Sequence, residues 1–236
     1  MWKPRSRAAV HTSMRQDVRF CANLSGLRMN ASTQRVFVID DNEAVRRSMS
    51  ILLDSLALPA VAFASATEFL EHFDGSQEGC LVLDIRMPGM DGLELQQALK
   101  ERNALLPIIF ITGHADVPVA VEAMRNGAFD FLRKPVQDTE LIDCIHRALA
   151  HESGLRESQR EHDRLCERIA TLTPRQMEVF KLVSKGQGNK QIADELGISE
   201  RTVEVHRAQV MKKLRVRTLA DLIKSKLRYD RLPQRG

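Results

Sequence analysis

Across residues 35–150, short apolar runs alternate with helix-spaced segments five times, and few folds accept that alternation. The strand-like runs are Arg35–Ile39, Ala60–Phe63, Cys80–Asp84, Pro107–Thr112 and Phe129–Arg133. Between and after them lie Glu43–Leu56, Ala66–Phe73, Leu93–Arg102, Val117–Asn126 and Thr139–Ala150, each with helical periodicity. In the first of these the apolar residues are Val45, Met49, Leu52, Leu53 and Leu56, the spacing of one helix face. Strands that read as continuous apolar runs are buried on both faces, which requires helices on both sides of a parallel sheet. The expected fold is therefore α/β, a doubly wound five-stranded parallel sheet.

A parallel sheet places the C-terminal ends of its strands along one edge, where open α/β folds put their chemistry. The ends of these runs carry Asp40 and Asp41, Asp84, Thr112, and Lys134. Singly, each has an ordinary explanation: a cap, a turn former, a loop lysine. Together they form a set. Three convergent carboxylates repel one another unless a cation joins them, and oxygen-only ligands suit Mg2+. Asp84 enters a Pro- and Gly-rich loop, Ile85-Arg86-Met87-Pro88-Gly89-Met90-Asp91-Gly92, that halts the strand and exposes its carboxylate as a nucleophile. Lys134 and the Thr112 hydroxyl are suited to hold phosphoryl oxygens.

Beyond residue 170 the charge reverses. Residues 35–150 carry 10 basic and 18 acidic side chains, whereas residues 171–236 carry 15 and 7, so the second block favours a polyanion. Thr173-Pro174-Arg175-Gln176 is a capping box with Pro at the first helical position, opening a helix that Gly186 closes. A second helix, Asn189–Leu196, ends at Gly197. Ser199 caps a third, Glu200 to Leu214, and Thr218 opens a fourth with Leu219, Leu222, Ile223 and Leu227 on one side. Two short helices joined at Gly197-Ile198 make a helix-turn-helix within a small all-α four-helix domain. On the third helix Val203, Val210 and Leu214 form the expected buried stripe. Arg201, Glu204, Val205, Ala208, Lys212 and Arg215 face the other way, short in the middle and basic at the ends, as entry into a major groove demands.

Residues 1–34 are Arg-rich and lack hydrophobic periodicity; a disordered basic arm, or an over-long start before Met29, is expected. Residues 151–170 read as a helical linker, with a heptad echo at Leu155, His162, Leu165, Ile169 and Leu172 that Gly154 interrupts. Cys21, Cys80, Cys144 and Cys166 lie too far apart to suggest a metal motif, so reduced cysteines in the cytoplasm are expected. No apolar run approaches the ~20 residues of a membrane span, and no membrane partner is expected.

On these residues the chain resembles two families at once. Asp40-Asp41, Asp84 within LVLDIRMPGMDG, Thr112 within IIFITGHAD and Lys134 within FDFLRKP resemble the receiver domain of two-component response regulators, which is flavodoxin-like. Leu172-Thr173-Pro174-Arg175, Gly186 through Ala193, and RTVEVHRAQVMKKL resemble a LuxR-type helix-turn-helix of the FixJ-like branch. The resemblance implies that Asp84 is phosphorylated by a sensor histidine kinase, with Mg2+ held by Asp41, Asp84 and the Arg86 carbonyl and assisted by Asp40. It further implies that Thr112 and Phe131 act as coupled switch residues with Lys134, and that His114 is a surface loop residue. A homodimer would form on phosphorylation through about residues 116–134. It would place Lys190, Arg201, Thr202, Glu204, Val205, His206, Ala208 and Lys212 on double-stranded DNA, with RNA polymerase as a further partner and activation as the outcome.

Two other classes fit parts of the pattern. A Mg2+-dependent phosphatase would use Asp84 as nucleophile, but it needs a general acid nearby, and Ile85 and Arg86 follow Asp84 with no lid insertion. A DNA-binding protein whose first domain is an unphosphorylated interaction module would have no use for the complete acidic set.

Overall fold

The computed structural model describes residues 34–113 and 117–231. Five parallel strands, β1 (Arg35–Ile39), β2 (Ala60–Phe63), β3 (Gly79–Asp84), β4 (Ile108–Thr112) and β5 (Asp130–Arg133), lie in the order β2-β1-β3-β4-β5. The sheet is doubly wound because its side chains alternate. Phe37, Ile39, Leu81, Leu83 and Phe110 face one way, onto a core shared with Phe69, Leu95, Leu99 and Ala123. Val36, Val38, Val82, Ile109 and Ile111 face the other, onto Leu53, Leu141, Cys144, Ile145 and Ala148. The covering helices are α1 (Glu43–Ser55), α2 (Ala66–His72), α3 (Gly92–Glu101), α4 (Val117–Arg125) and α5, which begins at Asp138.

Helix α5 does not stop at Ala150. It runs unbroken to Ala170, 33 residues and roughly 50 Å, through Gly154. Glycine in a helix costs about 1 kcal/mol against Ala, and packing on both sides of it outweighs that cost. On the N-terminal side, Glu152 is buried at 1% exposure and pairs with Arg156. Gln34 donates to the Glu152 carboxylate at 2.6 Å, Arg156 donates to the Gln77 carbonyl, and Arg160 meets Glu78 at 2.8 Å. These contacts fasten the helix to the strand N-terminal edge of the sheet. On the C-terminal side, Leu165 and Ile169 are buried in the next core. The heptad residues are therefore divided: Leu155 is exposed, while Leu165, Ile169 and Leu172 pack within the chain.

Helices α6 (Pro174–Ser184), α7 (Asn189–Leu196), α8 (Glu200–Leu214) and α9 (Leu219–Arg231) complete the structure. They enclose Val179, Phe180, Val183, Ile192, Val203, Val210, Leu214 and Leu222. At about 25 cal/mol per Å2 of apolar surface, a buried Phe180 alone contributes about 2–3 kcal/mol. The α9 leucines are split: Leu222 is buried, whereas Leu219 and Leu227 stay exposed because only one side of α9 meets α5 and α6. Among the described residues no helix is long and apolar enough to cross a membrane. His114, the start of the 116–134 surface, Cys21 and the basic arm lie outside them. Cys80, Cys144 and Cys166 are free, and burial pushes the Cys80 and Cys144 thiols up to about 12.

Candidate functional site

Strand order decides which side chains meet. Between β1 and β3 the order reverses direction, the crevice position of doubly wound sheets. Asp40 follows β1 there, and Asp84 ends β3. Register places Asp84 beside Ile111 and Thr112 beside Arg133, which brings Lys134 to the same edge. Residues 40, 84 and 134 thus converge although 94 positions separate the first from the last.

Carboxylate oxygens of Asp40, Asp41 and Asp84 all lie within 4.8 Å of one another. Lys134 Nζ donates to Asp40 Oδ2 at 2.7 Å and to Asp84 Oδ2 at 2.8 Å. Three carboxylates against one ammonium leave a net negative site. The donors are all oxygen, and this set fits a hard divalent cation such as Mg2+ rather than zinc. Partial burial pushes the Lys134 ammonium down, but the hydrogen bonds to Asp40 and Asp84 outweigh it and hold its pKa above the ordinary lysine value. Its contribution to stability is therefore fully present below that ordinary value, and fades only as pH rises through the elevated one.

Three further residues hold this geometry, none of them singled out by the sequence pattern. The Asn42 N–H donates to Asp40 Oδ1 at 2.8 Å, and Asn42 also caps α1. Arg46 Nη1 donates to the Asp40 carbonyl at 2.7 Å. Gly92 N–H reaches the Ile85 carbonyl at 2.9 Å, closing the loop after Asp84. A Cβ at Gly92 would stand 2.6 Å from the Asp84 carbonyl oxygen and 3.0 Å from Ile85 Cα. The only local signal was a Gly at the first position of a helix. Gly92→Ala is expected to lose about 1–3 kcal/mol of stability through overpacking against fixed backbone, and to slow any chemistry at Asp84. Urea unfolding of the variant checks the first effect.

Asp84 is mostly covered, its side chain 13% exposed, and Asp41 is exposed. The Arg86 N–H sits at 3.4 Å from Asp84 Oδ1. Thr112 is buried at the end of β4, and its carbonyl accepts from the Lys134 N–H at 2.8 Å. Phe131 is half-buried on β5, packed on the core that holds Phe110.

The second candidate surface is the outer face of α8. Gly197 takes the left-handed conformation (φ 64°) that turns α7 into α8 at Ile198, and Ser199 caps α8 through the Thr202 N–H. Val203, Val210 and Leu214 are buried, as the wheel requires. Arg201, Glu204, Ala208, Lys212 and Arg215 are exposed, Val205 is half-exposed, and Lys190 is exposed on α7. Thr202 and His206 are half-buried. The Thr202 hydroxyl is engaged with Ser199 at 2.8 Å, and His206 Nδ1 is enclosed with no hydrogen-bond partner among the described residues. Asn189 links α7 to the face, meeting Arg207 and, at 3.5 Å, Glu204. Gln176, buried in the α6 capping box, donates to Gln209 at 2.8 Å and accepts from Lys213 at 2.7 Å.

Comparison with known proteins finds matches to both parts of the chain. Residues 36–146 match the response regulator receiver domain, and residues 170–225 match the bacterial regulatory proteins of the luxR family. Nodulation protein W of Bradyrhizobium diazoefficiens is 48% identical over 200 residues, covering 84% of this chain and 88% of that protein. The solved structure of response regulator StyR aligns with a TM-score of 0.74 at 44% identity, covering 83% of this chain and 99% of that one. Full-length FixJ from B. japonicum aligns at 0.52 and 40% identity, covering 85% and 98%.

Proposed function

The chain belongs to the two-component response regulators that join a receiver domain to a LuxR-type DNA-binding domain and regulate transcription, and from that premise we propose that Asp84 is its phosphoacceptor. A receiver implies a histidine kinase as partner, and the luxR-family domain implies DNA. The family is one of transcription regulators rather than enzymes.

The observation that carries the reading is the Lys134 bridge between Asp40 and Asp84, within a cluster of three carboxylates. In the transfer, an Asp84 carboxylate oxygen attacks phosphorus. The new C–O–P linkage forms as the P–N bond to the kinase's histidine breaks, and the imidazole keeps the electron pair and takes up a proton. Asp41, Asp84 and the Arg86 carbonyl would hold Mg2+, with Asp40 assisting. When bound, the ion supplies positive charge against the phosphoryl oxygens. The product carries about −1.5 to −2 charges in place of the single negative charge of the Asp84 carboxylate, a net gain of roughly half to one negative charge. Lys134 then serves the phosphoryl oxygens, and the Thr112 hydroxyl follows, moving the start of α4 and the Phe131 side chain with it.

The dimer is read from α4. Val117, Val121 and Met124 stand at i, i+4 and i+7 and are 70%, 42% and 46% exposed, an apolar stripe without a cover among the described residues. A homodimer through α4 and β5 would bury it and set two α8 faces on a two-fold DNA site. Val121→Asp is expected to leave phosphorylation unchanged and to keep the phosphorylated chain monomeric in light scattering; a dimer in that variant would move the interface elsewhere. The proposed outcome of DNA binding is activation, with RNA polymerase as the further partner and the cytoplasm as the place.

The direct test treats the full chain with a small-molecule phosphodonor and Mg2+. Covalent mass, oligomer mass and DNA affinity are measured before and after. One added phosphoryl group, a doubled mass and tighter DNA binding are expected. No covalent gain would overturn the acceptor assignment, and a gain without change in mass or affinity would overturn the switch.

A further inference from the structure

Where α5 ends against α8, an open cavity of about 530 Å3 is lined by Arg164, Glu167, Arg168, Thr171 and Arg215. Three guanidiniums face one carboxylate in it. Arg164 reaches only Glu157, at 3.6 Å, and the side chains of Arg168 and Arg215 make no ion pair or hydrogen bond among the described residues. The walls are fixed to each other: Lys213 Nζ donates to the Thr171 carbonyl and to Gln176 Oε1, both at 2.7 Å.

Arg215 is held in an unusual way. It caps α8 in the left-handed conformation, φ 55° and ψ 41°, a place where Gly or Asn is ordinary and a long side chain bears a steric cost. It also continues the exposed stripe of Arg201, Glu204, Val205, Ala208 and Lys212, so the cavity opens at the C-terminal end of that face. A duplex lying along the stripe would pass over this end. A plainer account is that basic residues compensate the negative C-terminal ends of α5 and α8. That account serves Arg168 and Arg215 but not Arg164, which lies more than one turn from the end of α5, beyond the reach of the helix dipole.

We propose that this cavity receives a phosphate of the DNA backbone, so that the last turns of the linker helix are part of the DNA interface. The proposal rests on the DNA-binding reading of α8, and it gives the receiver's own helix a direct contact with DNA. Backbone phosphate contacts are indifferent to sequence, so an arbitrary duplex is a sufficient probe.

The test measures binding of the full chain to a duplex of about 40 base pairs between roughly 50 and 200 mM salt, where each neutralised phosphate adds about 0.9 to the log–log slope. Arg164→Ala with Arg168→Ala is expected to flatten the slope by about 0.9 for every phosphate no longer neutralised, shrinking the salt-induced fall in affinity about 3.5-fold for each. The corresponding Lys pair should recover most of the slope, which separates the removal of cations from a failure to fold. Arg47→Ala with Lys100→Ala, the same charge change on exposed receiver residues away from the α4–β5 surface, should leave the slope at the parent value. A parent-like slope in the first variant, or an equal change in the receiver control, overturns the proposal. A parent chain that binds no duplex at all overturns the DNA reading itself, and the proposal with it.

Discussion

Asp84→Asn is expected to abolish covalent phosphorylation entirely while leaving the fold in place. Asparagine matches the shape of the carboxylate, and its single amide oxygen can still accept from Lys134 Nζ, which lies 2.8 Å from the native Oδ2, at the expense of the longer 3.4 Å contact that the Arg86 N–H makes with Oδ1. What it lacks is a nucleophilic, negatively charged oxygen. The cluster also loses one of its three negative charges, so carboxylate repulsion and the attraction of Lys134 fall together and largely offset each other. A stability change within about 1 kcal/mol is expected. The variant should stay monomeric with phosphodonor and Mg2+, and its DNA affinity should not respond to them. Mass spectrometry of the intact chain reads the first outcome, and a phosphoryl adduct that persists would place the acceptor on another residue. Asp41→Ala is the companion experiment, because it keeps the nucleophile and removes a carboxylate of the cluster. It should weaken Mg2+ binding and slow labelling rather than redirect it.

The second large effect concerns the helix that joins the two halves. Arg156→Leu is expected to destabilise the chain by about 3–5 kcal/mol, because it leaves a buried carboxylate without its cation. Glu152 is 1% exposed and sits between Arg156 and Gln34. Among the described residues Gln34 alone would be left to serve it, and the Gln77 carbonyl would lose its donor from Arg156. Pairing the change with Glu152→Leu removes the unpaired charge, and hydrophobic replacement of a whole buried pair is often neutral. The double variant should therefore recover most of the stability. Urea unfolding followed by circular dichroism gives both numbers; a single variant as stable as the parent would show that the pair contributes nothing. Residues 151–160 should also exchange their amide hydrogens faster in the single variant, because the clamp holds that part of α5 to the sheet.

Where the residues speak locally, the sequence was enough. Alternating apolar runs, Gly186, Gly197 and the Thr173–Gln176 box fix elements through backbone sterics and side-chain periodicity, which act over a few positions. The ends of the α/β strands were legible for the same reason. A parallel sheet leaves no choice about which strand ends share an edge, so Asp40, Asp84 and Lys134 could be grouped before any distance was known. The family resemblance added roles to those positions. Local reasoning read a helix to Ala150 and a helical linker beyond it; what it missed is that the two are one continuous helix through Gly154. The interactions that hold it so join Gln34 to Glu152 and Gln77 to Arg156, across 118 and 79 positions. No sequence period reports a meeting of that kind. The leucines of α9 were divided between core and solvent by which neighbours α9 happens to meet.

By itself, then, the sequence determined a doubly wound parallel sheet, a helix-turn-helix, and the grouping of the carboxylates and lysine at one sheet edge and of the basic residues on one helix face, because periodicity, turn residues and charge are properties of neighbouring positions. Only the tertiary structure decided that Lys134 bridges Asp40 and Asp84, that Gly92 must yield its Cβ to the Asp84 carbonyl, that the linker is one rigid helix clamped at Glu152, and that Arg164 and Arg168 share a cavity with Arg215. All but the Gly92 contact, which closes a loop of eight positions, are meetings of residues far apart in the chain, and all are set by how whole elements pack rather than by what any stretch of sequence prefers.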